Sequence, residues 1–136
     1  MDPSPHAGAG AVRNGICQDY FVDGTLSWEG EFRDGAKVGE WKYYLKNGRL
    51  KATGHFVDGA MAGAWTWYRE NGALMQTGQF TADRKVGLWR RYHPNGALHD
   101  EGAYLDAKKV GEWKTYSASG ELIKTKQYRQ PAASAS

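Results

Sequence analysis

The sequence predicts an all-β fold, an elongated antiparallel meander of about five 24-residue β-hairpin repeats in a single-layer sheet. Three observations carry that expectation. Trp41, Trp65, Trp89 and Trp113 recur at one fixed spacing, and so do the tyrosines Tyr20, Tyr44, Tyr68, Tyr92 and Tyr116. Glycine recurs with them, at Gly24, Gly48, Gly72, Gly96 and Gly120 in one slot and Gly30, Gly54, Gly78 and Gly102 in another. Composition agrees: 18 Gly, 6 Trp and 8 Tyr in 136 residues point to short strands and tight turns, not to packed helices.

The repeat domain runs over 14–129, in units 15–38, 39–62, 63–86, 87–110 and 111–129. Segments 1–13 and 130–136 are low in complexity and are expected to be disordered. Within a unit, the runs 40–46 and 49–57 are rich in aromatic, aliphatic and Thr residues and flank Asn47-Gly48. Asn-Gly supplies the positive φ angles of a two-residue hairpin turn. A second, looser turn is expected at Asp34-Gly35, Asp58-Gly59, Ala82-Asp83 and Asp106-Ala107. Two strands per unit give about ten strands, which at ~4.8 Å each span roughly 45 Å.

With a two-residue turn, Trp41 falls opposite Gly54 and Phe56 opposite Gly39, so that each large ring lies over a residue without a side chain. That register predicts one face of Trp, Leu and Phe, with the Tyr row and Lys42, Thr66, Arg90 and Lys114 on the other. The outer units depart from the pattern. Cys17 takes a Trp slot and Lys126 a Gly slot, as expected of end caps. An open edge strand or a residual apolar strip would be free for a partner, or for a second copy joined as a homo-oligomer through the edge strands.

The unit Gly39-Glu40-Trp41-Lys42-Tyr43-Tyr44-Leu45-Lys46-Asn47-Gly48-Arg49-Leu50, and its counterpart from Gly87 to Leu98, resembles the MORN repeat variant, and within it the YwqK-like antitoxin group of bacterial proteins. The resemblance covers residues from Asn14 to Arg129. It implies an elongated antiparallel β array and an antitoxin or immunity protein that binds and neutralises a cognate toxin. It implies fold more narrowly than function, because the recurring residues build the scaffold while the variable ones choose the partner.

No catalytic constellation breaks the repeat, so the chain is expected not to be an enzyme and to need no cofactor. Asp100-Glu101 is an adjacent carboxylate pair, but successive strand residues point to opposite faces. His93 and His99 are expected on opposite faces, which is wrong for sharing a metal. A lone Cys17 and the lack of a long apolar run fit a cytoplasmic protein. The net charge of +3 comes from scattered residues, so specific nucleic-acid binding is not expected. Arg84-Lys85 and Lys108-Lys109 fall on consecutive turns at one edge, where peripheral contact with anionic lipid is the alternative. The expected activity is protein binding. Its candidate anchors are Tyr44, Tyr68, Arg90 and Tyr92 on one face, with Trp67 and Arg91 from the other.

Overall fold

A computed structural model describes residues 12–129, so the ends expected to be disordered lie largely outside the described residues. The described chain is a 10-stranded antiparallel sheet in strict sequence order. Its strands are β1 (Gly15–Tyr20), β2 (Leu26–Arg33), β3 (Ala36–Tyr44), β4 (Leu50–Val57) and β5 (Ala60–Tyr68), followed by β6 (Leu74–Thr81), β7 (Arg84–Tyr92), β8 (Leu98–Leu105), β9 (Lys108–Tyr116) and β10 (Leu122–Tyr128). No helix occurs among the described residues.

The two kinds of turn exchange the roles expected of them. Val57 pairs with Ala60, so Asp58-Gly59 is the two-residue connection, and both residues have positive φ (47° and 86°), the geometry of a type I′ turn. At Asn47-Gly48 the Leu45 amide donates to the Arg49 carbonyl and the Gly48 amide to the Leu45 carbonyl, which closes a longer loop of type I turn followed by a left-handed glycine. Asn47 Oδ1 accepts from the Arg49 amide at 2.8 Å and stabilises that loop locally. The extra loop residue does not change the register of the strand bodies. Tyr44 pairs with Leu50 but Tyr43 with Ala52, so Lys51 is a one-residue bulge that restores the offset. The leucines therefore pair with the Tyr row and not with the Trp face.

Beyond the bulge the predicted pairs stand: Trp41 with Gly54, Gly39 with Phe56, Trp65 with Gly78 and Trp89 with Gly102. A second irregularity decides where each ring goes. Between β2 and β3 the register jumps from Glu29–Lys42 to Glu31–Val38, with Gly39 at φ 70°. Beside the jump, Trp41 Nε1 donates to the Glu31 carbonyl at 3.1 Å and to the Val38 carbonyl at 3.2 Å. Trp65, Trp89 and Trp113 repeat the contact on the carbonyls of His55, Gln79 and Ala103. Each ring is thereby drawn back over the preceding hairpin. Trp65 lies on Gly54, not on Gly78 as the pairing suggested, and Trp41, Trp89 and Trp113 lie in the same way on Gly30, Gly78 and Gly102.

This backward packing explains both end departures. Among the described residues, Lys126 sits in a glycine slot with no Trp lying over it, and Cys17 sits in a Trp slot with no strand before β1 to lie on. Trp41, Trp65, Trp89 and Trp113 are all buried, with Trp41 fully so, and a sheet of one layer thus obtains its core from side chains lying flat along it.

The type I′ turns carry backbone strain at two places without glycine, Ala82-Asp83 and Asp106-Ala107. An L-residue in the left-handed region costs roughly 1–2 kcal/mol, and Gly gives back part of that through its freer unfolded chain. Ala107, at φ 72°, uses only its backbone in the turn, donating to the Lys85 carbonyl at 2.9 Å. Ala107→Gly is expected to raise stability by about 1 kcal/mol, read as a higher urea midpoint at unchanged slope.

Candidate binding face

Strand parity places Trp28, Trp41, Tyr43, Trp65, Trp67 and Trp89 on one face. Their rings form a continuous ladder. Centroids are 5.1 Å apart for Trp28–Trp41, 6.1 Å for Trp41–Tyr43, 6.4 Å for Tyr43–Trp65, 6.0 Å for Trp65–Trp67 and 5.6 Å for Trp67–Trp89, each step tilted by 30–33°. Phe56 and Phe80 meet the ladder edge-on, Phe56 at 5.3 Å from Trp65 and Phe80 at 5.2 Å from Trp89. Trp28, Tyr43 and Trp67 are only half-buried, so the outer row of the ladder forms an apolar strip open to solvent.

Cations lie on top of this aromatic layer. Lys37 Nζ is 4.8 Å from the Trp41 centroid, Lys85 4.8 Å from Trp89, and Lys109 4.6 Å from Trp113. Lys85 also caps Tyr104 at 5.0 Å. The ladder ends at Trp89 because the next slot, filled by Tyr43 and Trp67 in earlier units, holds Arg91. Three further departures cluster around it: Gln76 and Asp100 where β4 has Ala52, and Tyr104 where earlier units have Phe. Together with Lys85, Lys109, Trp89 and Trp113 these residues line an open cavity of about 360 Å3.

Inside the cavity Arg91 clasps Asp100. Nη2 donates to Oδ2 at 2.6 Å and Nε to Oδ1 at 3.1 Å, and Asp100 is 8% exposed. The carboxylate holds the Arg91 pKa above its ordinary value, while burial, followed by the charge of Asp100, pushes the Tyr104 hydroxyl up. Lys85 and Lys109 have no carboxylate within ion-pair distance among the described residues. The cavity is therefore net cationic, walled by indoles, and floored by a salt bridge. It has the means to bind and orient an anionic group.

The six residues singled out from sequence divide as expected between the two faces. Trp67 is part of the aromatic ladder and Arg91 of the cavity. Tyr44, Tyr68 and Tyr92 lie half-buried on the opposite face, and Arg90 there is bound to Glu101 at 2.9 Å. Structure thus brings Trp67 and Arg91 together and leaves the other four behind the sheet. Asp100 and Glu101 do point apart, each to its own arginine. His93 and His99, expected on opposite faces, are instead stacked at 4.2 Å, because the bulge at His99 turns its side chain towards the loop. Desolvation, then the charges of Arg91 and His93, lowers the His99 pKa. The supposed patch of turn cations is also dispersed: Arg84 pairs with Asp106 at 2.6 Å, and Lys85 and Lys109 fold onto rings.

A profile of the MORN repeat variant matches residues 37–58, 61–82, 85–106 and 109–130, well over half of the chain. The chain belongs to the MORN repeat variant family. No curated protein sequence matches it. Among solved structures the chain is similar to S. aureus TarM in a complex with fondaparinux, alpha-GlcNAc-glycerol and UDP, with TM-score 0.44, 11% identity, and coverage of 71% of this chain and 19% of that one. A further TarM structure gives TM-score 0.44 at 12% identity over 72% of this chain and 19% of that one. A GtfA/B complex bound to UDP and GlcNAc gives 0.38 at 13% identity over 66% and 22%. The chain spans about a fifth of the length of those proteins, and likeness at this level says nothing of what it binds.

Within the MORN scaffold the cavity residues Gln76 and Tyr104 were not marked out from sequence, while Asp100 stood out only as one of a carboxylate pair and Lys85 and Lys109 only as turn cations. A signal was present. Comparing the units slot by slot, and asking which polar departures share strand parity, isolates Gln76, Arg91, Asp100 and Tyr104. Among the described residues no helix is long and apolar enough to cross a membrane, and no group of three His, Cys, Asp or Glu side chains is placed to hold a metal.

Proposed function

We propose that this MORN repeat protein is a non-catalytic, cytoplasmic binding module that acts by holding a protein partner, and that the partner is a toxin it neutralises in the manner of YwqK-like antitoxins. One observation carries the binding reading: the half-buried strip Trp28–Tyr43–Trp67 runs directly into the polar cavity around Arg91. An apolar strip with a polar anchor at its end is how interfaces combine affinity with register. The binding face is accordingly the Trp face, and the Tyr row serves the sheet by pairing with the leucines.

The engagement of both carboxylates of the Asp100-Glu101 pair by arginines supports the non-catalytic reading. The buried carboxylate of Asp100 is spent on Arg91, and Glu101 lies behind the sheet on Arg90. The test is coexpression with the product of the adjacent open reading frame. A stable complex, together with relief of that product's toxicity, supports the proposal. A protein that neither co-purifies nor rescues growth would return the chain to a general MORN-type scaffold.

A further inference from the structure

Charges scattered along the sequence are sorted by strand parity in the sheet. The register puts Lys37, Lys85, Arg91, Lys109, Lys124 and Lys126 on the Trp face, where the paired strand positions add only the acids Asp19 and Asp100. Glu29, Glu31, Glu40, Glu101 and Glu112 all fall on the other face. The near-balanced composition thus conceals a basic face and a mixed one. Of the two acids on the basic face, Asp100 is already bound to Arg91, and that pair uses Nε and Nη2, leaving Nη1 without a partner among the described residues.

We propose that the cavity between β7, β8 and β9 receives a carboxylate from an acidic segment of the partner protein, with Lys85 and Lys109 as its counter-charges and Arg91 Nη1 as its directional donor. The inference rests on the protein-binding reading above and adds the chemistry of the partner. The ammoniums are held in place by the ring faces of Trp89, Tyr104 and Trp113 and have no counter-ion among the described residues, so an arriving carboxylate finds charges already positioned. The strip leading to the cavity suits the apolar residues of the same segment.

Nucleic acid fits this face less well although it too is anionic. Base stacking needs free ring faces, and here they are taken by neighbouring rings of the ladder or by Lys37, Lys85 and Lys109. A bilayer fits less well because the cations lie on the sheet face, while the turn cation Arg84 is paired with Asp106.

The experiment measures binding of a fluorescent oligoglutamate peptide to the full chain by anisotropy, with an oligothymidylate of matched charge as comparison. Three proteins are compared: wild type, the double variant Lys85→Gln/Lys109→Gln, and the opposite-face double variant Lys42→Gln/Lys114→Gln. Circular dichroism and urea midpoints confirm that each is folded. The expected result is salt-sensitive peptide binding, about tenfold weaker in the cavity variant and within about twofold of wild type in the opposite-face variant. Equal loss in both variants, no loss in the cavity variant, or tighter binding of the oligothymidylate would overturn the inference. The same two variants, tested in the coexpression experiment, separate the two claims. A complex that survives Lys85→Gln/Lys109→Gln refutes the carboxylate anchor and leaves protein binding standing. Specific peptide binding without any complex refutes the toxin-binding reading and leaves the anion site standing.

Discussion

Trp65→Ala is expected to destabilise the sheet by about 3 to 5 kcal/mol, the range for truncating a fully buried aromatic. Trp65 is 3% exposed and touches Tyr43, Phe56, Trp67 and Phe80, so its loss opens the middle of the ladder and both of its edge-on contacts. It also leaves the His55 carbonyl without the indole N–H that accompanies it. Urea unfolding followed by far-UV circular dichroism reads the change directly. A loss below ~0.5 kcal/mol would show that the ring is not part of the core.

Gly54→Ala is expected to be nearly as damaging, at about 3 kcal/mol, although it adds a single methyl group. A Cβ built at that position falls inside the indole of Trp65, against Cδ2, Cε2 and Cγ, which belong to a rigid ring with no rotatable end to move aside. Relief requires the ring to lift, breaking its hydrogen bond to His55 and its contact with Phe56. Gly48→Ala makes the appropriate control. Gly48 is in the left-handed region with nothing near its Cβ position, so only the backbone penalty of roughly 1–2 kcal/mol applies. Equal effects of the two substitutions would mean that the glycine under Trp65 is needed for its backbone freedom alone.

The period made the fold legible, since a recurring unit with one glycine-marked turn leaves few arrangements other than a meander. Register in the strand bodies was legible too, but for a reason that involves two compensating features. An Asn-Gly pair serves a two-residue turn or a longer loop ending in a left-handed glycine, and the bulge at Lys51 absorbs the difference. Leu50 shows the effect locally, being the residue between loop and bulge and the one whose side was misjudged. The direction of each Trp ring was not legible. Trp65 has a glycine on both neighbouring strands, Gly54 and Gly78, and the choice goes with its hydrogen bond to the His55 carbonyl beside the irregularity at Gly63. Arg91 and Trp67 were recognisable as variable positions on the Trp face. Lys85 and Lys109 were not, because a turn-flanking lysine reads as solvated until the strand parity carries it over an indole.

The strict sequence order of the strands has a consequence for how the molecule assembles. All-β domains usually fold slowly because distant stretches of chain must meet before any pairing repays the lost entropy. Here each strand pairs only with its immediate neighbours along the chain, and each indole reaches back no further than the preceding hairpin. The sheet behaves as a linear array of coupled hairpins, in which a nucleus formed at any adjacent pair can grow outward and the ends unravel before the middle. Length is then a free variable of the architecture. A unit gained or lost changes how far the binding strip extends and leaves the local contacts of every remaining unit as they were.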